Sequence, residues 1–391
     1  MNAPAFPAAR LRSTLPAIGA GAAPATPLDR ARVRIEGLDV LRLFAALCVV
    51  LFHYAFRGAV ADNLTRVSLP SLAPVAQYGF IGVDMFFAIS GFVIAWSAEG
   101  RTWRQFALAR FARIYPAFVV CMTATFAVTW LWGRPRFETS PAQWAANLLV
   151  AAPAVGEASM DGAYWSIVCE IVFYGWMALL IGVGAFPRHA RLLLFAWMAL
   201  TVLNEFALDS YPLRKLFLTN HSGFFAAGVL LYLRRAGGGG VLTSLLLGLS
   251  VLVAACQLPI IANGMQEYYR VPYSNLVLVL CALGAIGIVA AASAVRDVKL
   301  RPGAVAAIGG LTYPLYLLHQ NAGYIIFNRL EGGLPAPAIV ALTTAIMLVA
   351  AWMVWRFVET PSRRAIYRLA DRLSALVARL KKARSLATNA Q

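Results

Sequence analysis

The chain has 391 residues, of which 60% are hydrophobic and only 13% are charged, against roughly 25% charged in a soluble domain. Mean hydropathy is +0.69, and apolar runs of roughly 20 residues, the length that spans a bilayer, recur throughout, which excludes a soluble globular domain. The net charge of +17, from 34 Lys and Arg against 17 Asp and Glu, would by itself suit nucleic acid. The basic residues fall mostly on alternate loops, however, so the positive-inside rule accounts for them and no nucleic-acid partner is expected.

Residues 1–33 are rich in Ala, Pro and Arg and lack any period, which predicts a disordered cytoplasmic arm. A cleaved signal peptide is not expected, because the first apolar run is long, carries Arg42 and has no small-residue cleavage site soon after it. The chain is predicted to fold as an all-α polytopic transmembrane helical bundle. About ten spans are expected near 38–57, 77–97, 114–133, 163–184, 191–207, 216–233, 241–262, 275–294, 304–327 and 337–357. This defines a transmembrane domain over 34–361. A basic amphipathic tail over 362–391 follows, with a soluble helix from about Arg363 to Arg384. Its apolar stripe, Ile366, Leu369, Leu373, Leu376 and Leu380, would lie on the anionic inner surface.

Orientation follows from the basic residues. With the N-terminus in the cytoplasm, 25 of the 34 Lys and Arg lie inside and 8 outside, and Arg42 sits within the first span. Both termini are therefore expected in the cytoplasm, in agreement with an even number of spans. No internal repeat is evident, which disfavours the common transporter folds. The five cysteines are odd in number and include no C-x-x-C pair, so neither a disulfide framework nor a zinc site is expected.

Ionisable side chains inside spans are costly and are functional candidates by default. Arg42 and His53 share the first span, eleven residues apart. That is about 16 Å of rise, with both side chains on one face. Asp84, Glu170 and His319 fall at a depth similar to His53, roughly 10 Å below the outer surface by helix counting. Glu170 belongs to a polar stripe with Ser166 and Tyr174. Arg110 and Arg113 lie one turn apart on the inner side. His189 and His221 fall near span ends and are expected to be interfacial. Two histidines and two carboxylates could ligate a metal, but no spacing requires it, and none is expected.

Several short motifs then occur in order. Gly37-Leu38-Asp39-Val40-Leu41-Arg42 precedes His53, and Gly82-Val83-Asp84-Met85-Phe86-Phe87-Ala88-Ile89-Ser90-Gly91-Phe92 fills the second span. Arg110-Phe111-Ala112-Arg113-Ile114-Tyr115-Pro116 opens the third, and Tyr164-Trp165-Ser166-Ile167-Val168-Cys169-Glu170 the fourth. Leu311-Thr312-Tyr313-Pro314-Leu315-Tyr316-Leu317-Leu318-His319 and Glu359-Thr360-Pro361 follow. Together, over about Ile35–Arg364, they resemble the membrane-bound acyltransferases of acyltransferase family 3. Within the family's S-Y-x-L-Y-L-x-H element, Thr312 stands for Ser and Pro314 is inserted.

The resemblance implies O-acylation, usually acetylation, of a hydroxyl on a surface or extracytoplasmic saccharide or glycolipid. The donor would be cytoplasmic acyl-CoA, usually acetyl-CoA, and the location the bacterial inner membrane. Polysaccharide-assembly proteins are expected partners. Some relatives carry a fused esterase-like domain, which is not expected here. Arginine presents a fork of donors suited to phosphate, so Arg42, Arg110 and Arg113 are expected to bind the donor's phosphates. His53, Glu170, Asp84 and His319 are expected to be catalytic. His53 can serve as general base or take the acyl group covalently, and either carboxylate can orient its ring. The rival of another class is a proton-coupled transporter or flippase, which also uses intramembrane His, Asp and Glu.

Overall fold

The computed structural model describes residues 35–388, so the arm expected over 1–33 lies outside the described residues. Every regular element described is a helix. Nine of these helices are long and apolar enough to cross a membrane, and the protein is an integral membrane helical bundle. The first eight are α1 (Glu36–Ala61), α2 (Ala73–Ala98), α3 (Trp103–Trp132), α4 (Gly162–Gly182), α5 (Ala190–Leu208), α6 (Tyr211–Gly238), α7 (Val241–Tyr269) and α8 (Asn275–Ala294).

Helix starts are set by local chemistry. Thr102 and Gln105 form a capping box at α3, and Ser274 accepts the Val277 amide at α8, each satisfying an amide that has no helical partner. Small residues bring the central helices together. Gly91 of α2 lies on the Phe225 carbonyl of α6, and Gly228 of α6 lies on the Ala88 carbonyl of α2. A Cβ at either position would strike backbone, so this reciprocal pair lets α2 and α6 pack backbone against backbone, as expected where lipid gives no hydrophobic drive between helices.

The ninth predicted span, 304–327, is not one helix. It is broken into α9 (Pro302–Leu318) and α10 (Asn321–Leu330), with His319 and Gln320 at the break. A break inside a bilayer requires partners for the freed backbone groups, and tyrosines supply most of them. The Leu317 carbonyl accepts from Tyr164 (3.2 Å) and the His319 carbonyl from Tyr54 (2.6 Å). At the start of α10 the Asn321 amide donates to Asp161 (2.8 Å). The two half-helices still cross the bundle: α9 carries Gly309 and Gly310 at an arginine-lined cavity, and Arg329 at the far end of α10 donates to the Trp132 carbonyl that closes α3.

The last helix also departs from the hydropathy pattern. The soluble helix expected at Arg363–Arg384 is continuous with the final span as α11 (Ala336–Lys381). Pro361 would ordinarily break it. A π turn over Trp355–Glu359 widens the helix just ahead of it, where the Trp355 carbonyl accepts from both the Thr360 amide and the Thr360 hydroxyl (2.9 Å). The expected stripe residues Leu369, Leu373, Leu376 and Leu380 are all exposed along this rod.

Candidate active site

His53 stands where α1 passes from an α-helix ending at Phe52 into a π turn over His53–Ala61. Such bulges recur at functional sites. Its ring is buried and meets His319, at the α9–α10 break, with centroids 4.8 Å apart. The hydrogen bonds fix both tautomers. His319 Nδ1 faces the Tyr316 carbonyl at 2.8 Å and must donate to it, so His319 Nε2 is the bare nitrogen. His53 Nδ1 faces the Val49 carbonyl at 2.8 Å and His319 Nε2 at 3.1 Å. Both are acceptors, so His53 Nδ1 carries the hydrogen, shared between them. The lone pair of His53 is therefore on Nε2, as a general base requires. The Tyr324 hydroxyl donates to the His53 carbonyl at 3.0 Å and holds the bulge.

The other two residues expected at this level are elsewhere. Asp84 is buried and pairs with His221 Nδ1 at 2.8 Å. His221, expected at an interface, is in fact buried, stacked on Trp165 and packed on Phe87. Glu170 accepts from the Ser90 hydroxyl at 2.5 Å and the Tyr174 hydroxyl at 2.7 Å. Helix counting gives depth but not the direction a side chain faces around its helix, and here three directions separate one expected cluster into three. Among the described residues no carboxylate hydrogen-bonds His53 or His319, so the carboxylate–imidazole arrangement expected around His53 does not form there. No group of three or more His, Cys, Asp or Glu in the described residues is placed to hold a metal ion.

The arginines converge on a pair of adjoining cavities that share Arg42, Arg110 and Arg113 as walls. The larger, about 870 Å³, opens at the basic end of the bundle and is walled by Arg42, Arg101, Arg110, Arg113, Arg363 and Arg364, with Asp39, Glu99 and Glu359. The smaller, about 110 Å³, runs on from Arg42, Arg110 and Arg113 past Ser90, Glu170 and Tyr174 to Ser166 and Tyr316. Arg110 Nε is buried without a partner, with its guanidinium near the rings of Phe106 (5.9 Å) and Tyr174 (6.0 Å). Arg113 donates to the buried Glu359, and Arg42 to Asp39 at 2.8 Å.

The inner cavity stops one side chain short of the histidines. The hydroxyls of Tyr316 and Ser166 are hydrogen-bonded at 2.7 Å and close its end, and the Tyr316 carbonyl is the group that orients His319. Asp161 ties this region together from outside the spans, accepting the Ala163 amide at the start of α4 and the Asn321 amide at the start of α10, both at 2.8 Å. Burial pushes its carboxyl up to about 6. Sequence reasoning missed Asp161. It lies in a polar loop, where a carboxylate carries no evident cost.

Fold and site together define an integral membrane protein in which an arginine-walled channel leads toward a buried histidine pair. The chain belongs to acyltransferase family 3: the family model, described as an acyltransferase domain, matches residues 35–356. It is similar to the acyltransferase MdmB of Streptomyces mycarofaciens, with 31% identity over 154 residues, 36% of this chain and 38% of that protein. It is also similar to the putative peptidoglycan O-acetyltransferase YrhL of Bacillus subtilis (strain 168), with 28% identity over 188 residues, 43% of this chain and 27% of that protein. The matched segments thus span well under half of these curated relatives. No solved structure matches the chain.

Proposed function

We propose that the protein transfers an acyl group, acetyl in the simplest case, from cytoplasmic acyl-CoA to a hydroxyl of an extracytoplasmic saccharide or glycolipid. It would do so in the bacterial inner membrane with both termini in the cytoplasm. The observation that carries this reading is the channel from Arg42, Arg110 and Arg113 to Ser166 and Tyr316, one side chain from the His53–His319 pair. A guanidinium mouth suits the donor's phosphates, and a narrow inner cavity suits an extended thiol arm. The peptidoglycan O-acetyltransferase relative supports a saccharide acceptor and an acetyl group. Assembly proteins for that saccharide would be its partners.

In this mechanism His53 Nε2 takes the proton from the acceptor hydroxyl as its oxygen attacks the thioester carbonyl. His319 Nε2 accepts the hydrogen on His53 Nδ1 and so steadies the imidazolium that forms. The C–S bond then breaks and the thiolate leaves with that proton. For the thioester to reach His53, the Tyr316–Ser166 hydrogen bond must open. Acyl transfer to His53 itself, followed by attack of the hydroxyl, uses the same geometry with one more step.

Proton-coupled transport is the second reading, favoured by the helix broken at His319, a feature of transporter sites. One experiment separates the two. Purified protein with acetyl-CoA and a saccharide acceptor should release free CoA thiol, and His53→Ala should lower the rate ~10²–10⁴-fold while accumulating normally. No thiol release by the wild type, or an undiminished rate in the variant, overturns the proposal.

A further inference from the structure

The inner cavity contains a polar station that the acyl-transfer step does not use. Apolar side chains, including Val83, Phe86, Val93, Ile94 and Ile114, line part of it, and Glu170 lies among them, on α4 between Ser166 and Tyr174. A carboxylate in such a place is expensive unless it is hydrogen-bonded. The Ser90 and Tyr174 hydroxyls each spend their one hydrogen on it, at 2.5 and 2.7 Å. Each carboxylate oxygen has taken one bond and keeps capacity for another. With both hydroxyl hydrogens committed, the whole station presents acceptors to the channel. It is built to receive a donor: the other hydroxyls that line the cavity, of Ser166, Thr312, Tyr313 and Tyr316, are neutral, and Glu170 is the one carboxylate among the lining residues.

We propose that Glu170, braced by Ser90 and Tyr174, binds an amide N–H of the pantetheine arm and is a positioning residue for the donor, not an acid–base group. This rests on the acyl-CoA reading above. Glu170 lies one helical turn, about 5.4 Å, from Ser166, which closes the channel with Tyr316. That is comparable to the two methylenes that separate the thioester sulfur from the nearest pantetheine amide. Seating that amide on Glu170 places the thioester against Tyr316 and Ser166, the last side chains before the histidines. Carboxylate and arginines then read different parts of one donor: the arginines the phosphates, Glu170 the amide.

Steady-state kinetics of wild type, Glu170→Gln and Arg110→Ala with two donors test this. Acetyl-CoA carries phosphates and amides, whereas S-acetylpantetheine carries the amides only. Glu170→Gln, which keeps a neutral acceptor and loses the charge, should raise KM about tenfold for both donors, the low end for one hydrogen bond to a charged group, with kcat within about threefold. Arg110→Ala should raise KM for acetyl-CoA and leave that for S-acetylpantetheine unchanged. Ser90→Ala, which keeps the carboxylate but removes a brace, should raise KM for both donors by a smaller factor and serves if Glu170→Gln fails to fold. A third donor, S-acetylpantetheine with the amide nearest sulfur replaced by an ester, should be poor with the wild type and no poorer with Glu170→Gln. A fall in kcat with KM unchanged in Glu170→Gln would make Glu170 a participant in the chemistry and overturn the inference. So would full, multiplied losses with the ester donor. A wild type that uses neither acetyl-CoA nor S-acetylpantetheine would instead remove the donor reading beneath it.

Discussion

Arginine 110 offers the sharpest test of how the donor is held. Its guanidinium sits where the two cavities join, and its Nε is buried without an acceptor. The neighbouring Phe106 and Tyr174 rings flank it. A phosphate oxygen arriving there completes a charge-assisted hydrogen bond to a donor already desolvated and oriented. Such bonds contribute ~1.5–3 kcal/mol, which is roughly 10- to 150-fold in affinity at about 1.4 kcal/mol per decade. Arg110→Ala should therefore weaken CoA binding by that range, measured by titration calorimetry on protein in nanodiscs. Arg110→Lys should recover only part of it, because a point charge does not reproduce the planar fork. Arg113 provides the contrast. It already donates to buried Glu359, so Arg113→Ala should also lower the unfolding temperature by stranding that carboxylate. Wild-type affinity in Arg110→Ala would refute the assignment and leave Arg110 a charge that only sets orientation.

His319→Ala removes the acceptor for His53 Nδ1–H but leaves the Val49 carbonyl in place. Acetyl-transfer kcat should therefore fall, yet by less than the ~10²–10⁴-fold expected for loss of the base itself; equal losses would make the two rings one unit. Asp161 has a carboxyl held at about 6 by burial, above its unfolded value of about 3.9. Its contribution to stability is complete below about 3.9 and is lost as pH rises through about 6, a term of at most ~3 kcal/mol. The unfolding temperature of Asp161→Asn relative to wild type should rise between pH 4 and 7, and parallel curves would contradict this. Reporter fusions after Arg235 and Arg301 should signal cytoplasm, and fusions between Arg134 and Asp161 the far side; a far-side signal at Arg235 would reverse the donor route.

What was legible in the sequence was what is costly. Arg42 and His53 interrupt an apolar run, and a charge or imidazole there needs a reason. The expected spans 38–57, 77–97 and 163–184 correspond to α1, α2 and α4. The polar triplet His319-Gln320-Asn321 marks the break, but apolar residues on both sides keep a span-length window hydrophobic, so hydropathy alone joins the two halves. Its compensation comes from Tyr54, Tyr164 and Asp161, remote in sequence. Likewise, depth placed His53, Asp84 and Glu170 together, but their partners depend on which way each helix is turned. Asp84 turns to His221 on α6 and Glu170 to Ser90 on α2. That rotation is fixed by close contacts such as Gly91 on Phe225, which hydropathy cannot express.

The central claim is that an acyl group enters at the arginine-walled end and meets its acceptor at His53. Proteoliposomes carrying oriented protein, with membrane-impermeant radiolabelled acetyl-CoA on the arginine side and a saccharide acceptor on the other, test it directly. The wild type should label the saccharide, and His53→Ala should do so ~10²–10⁴-fold more slowly. Label that appears only when donor and acceptor share a side, or at an undiminished rate in His53→Ala, would contradict it.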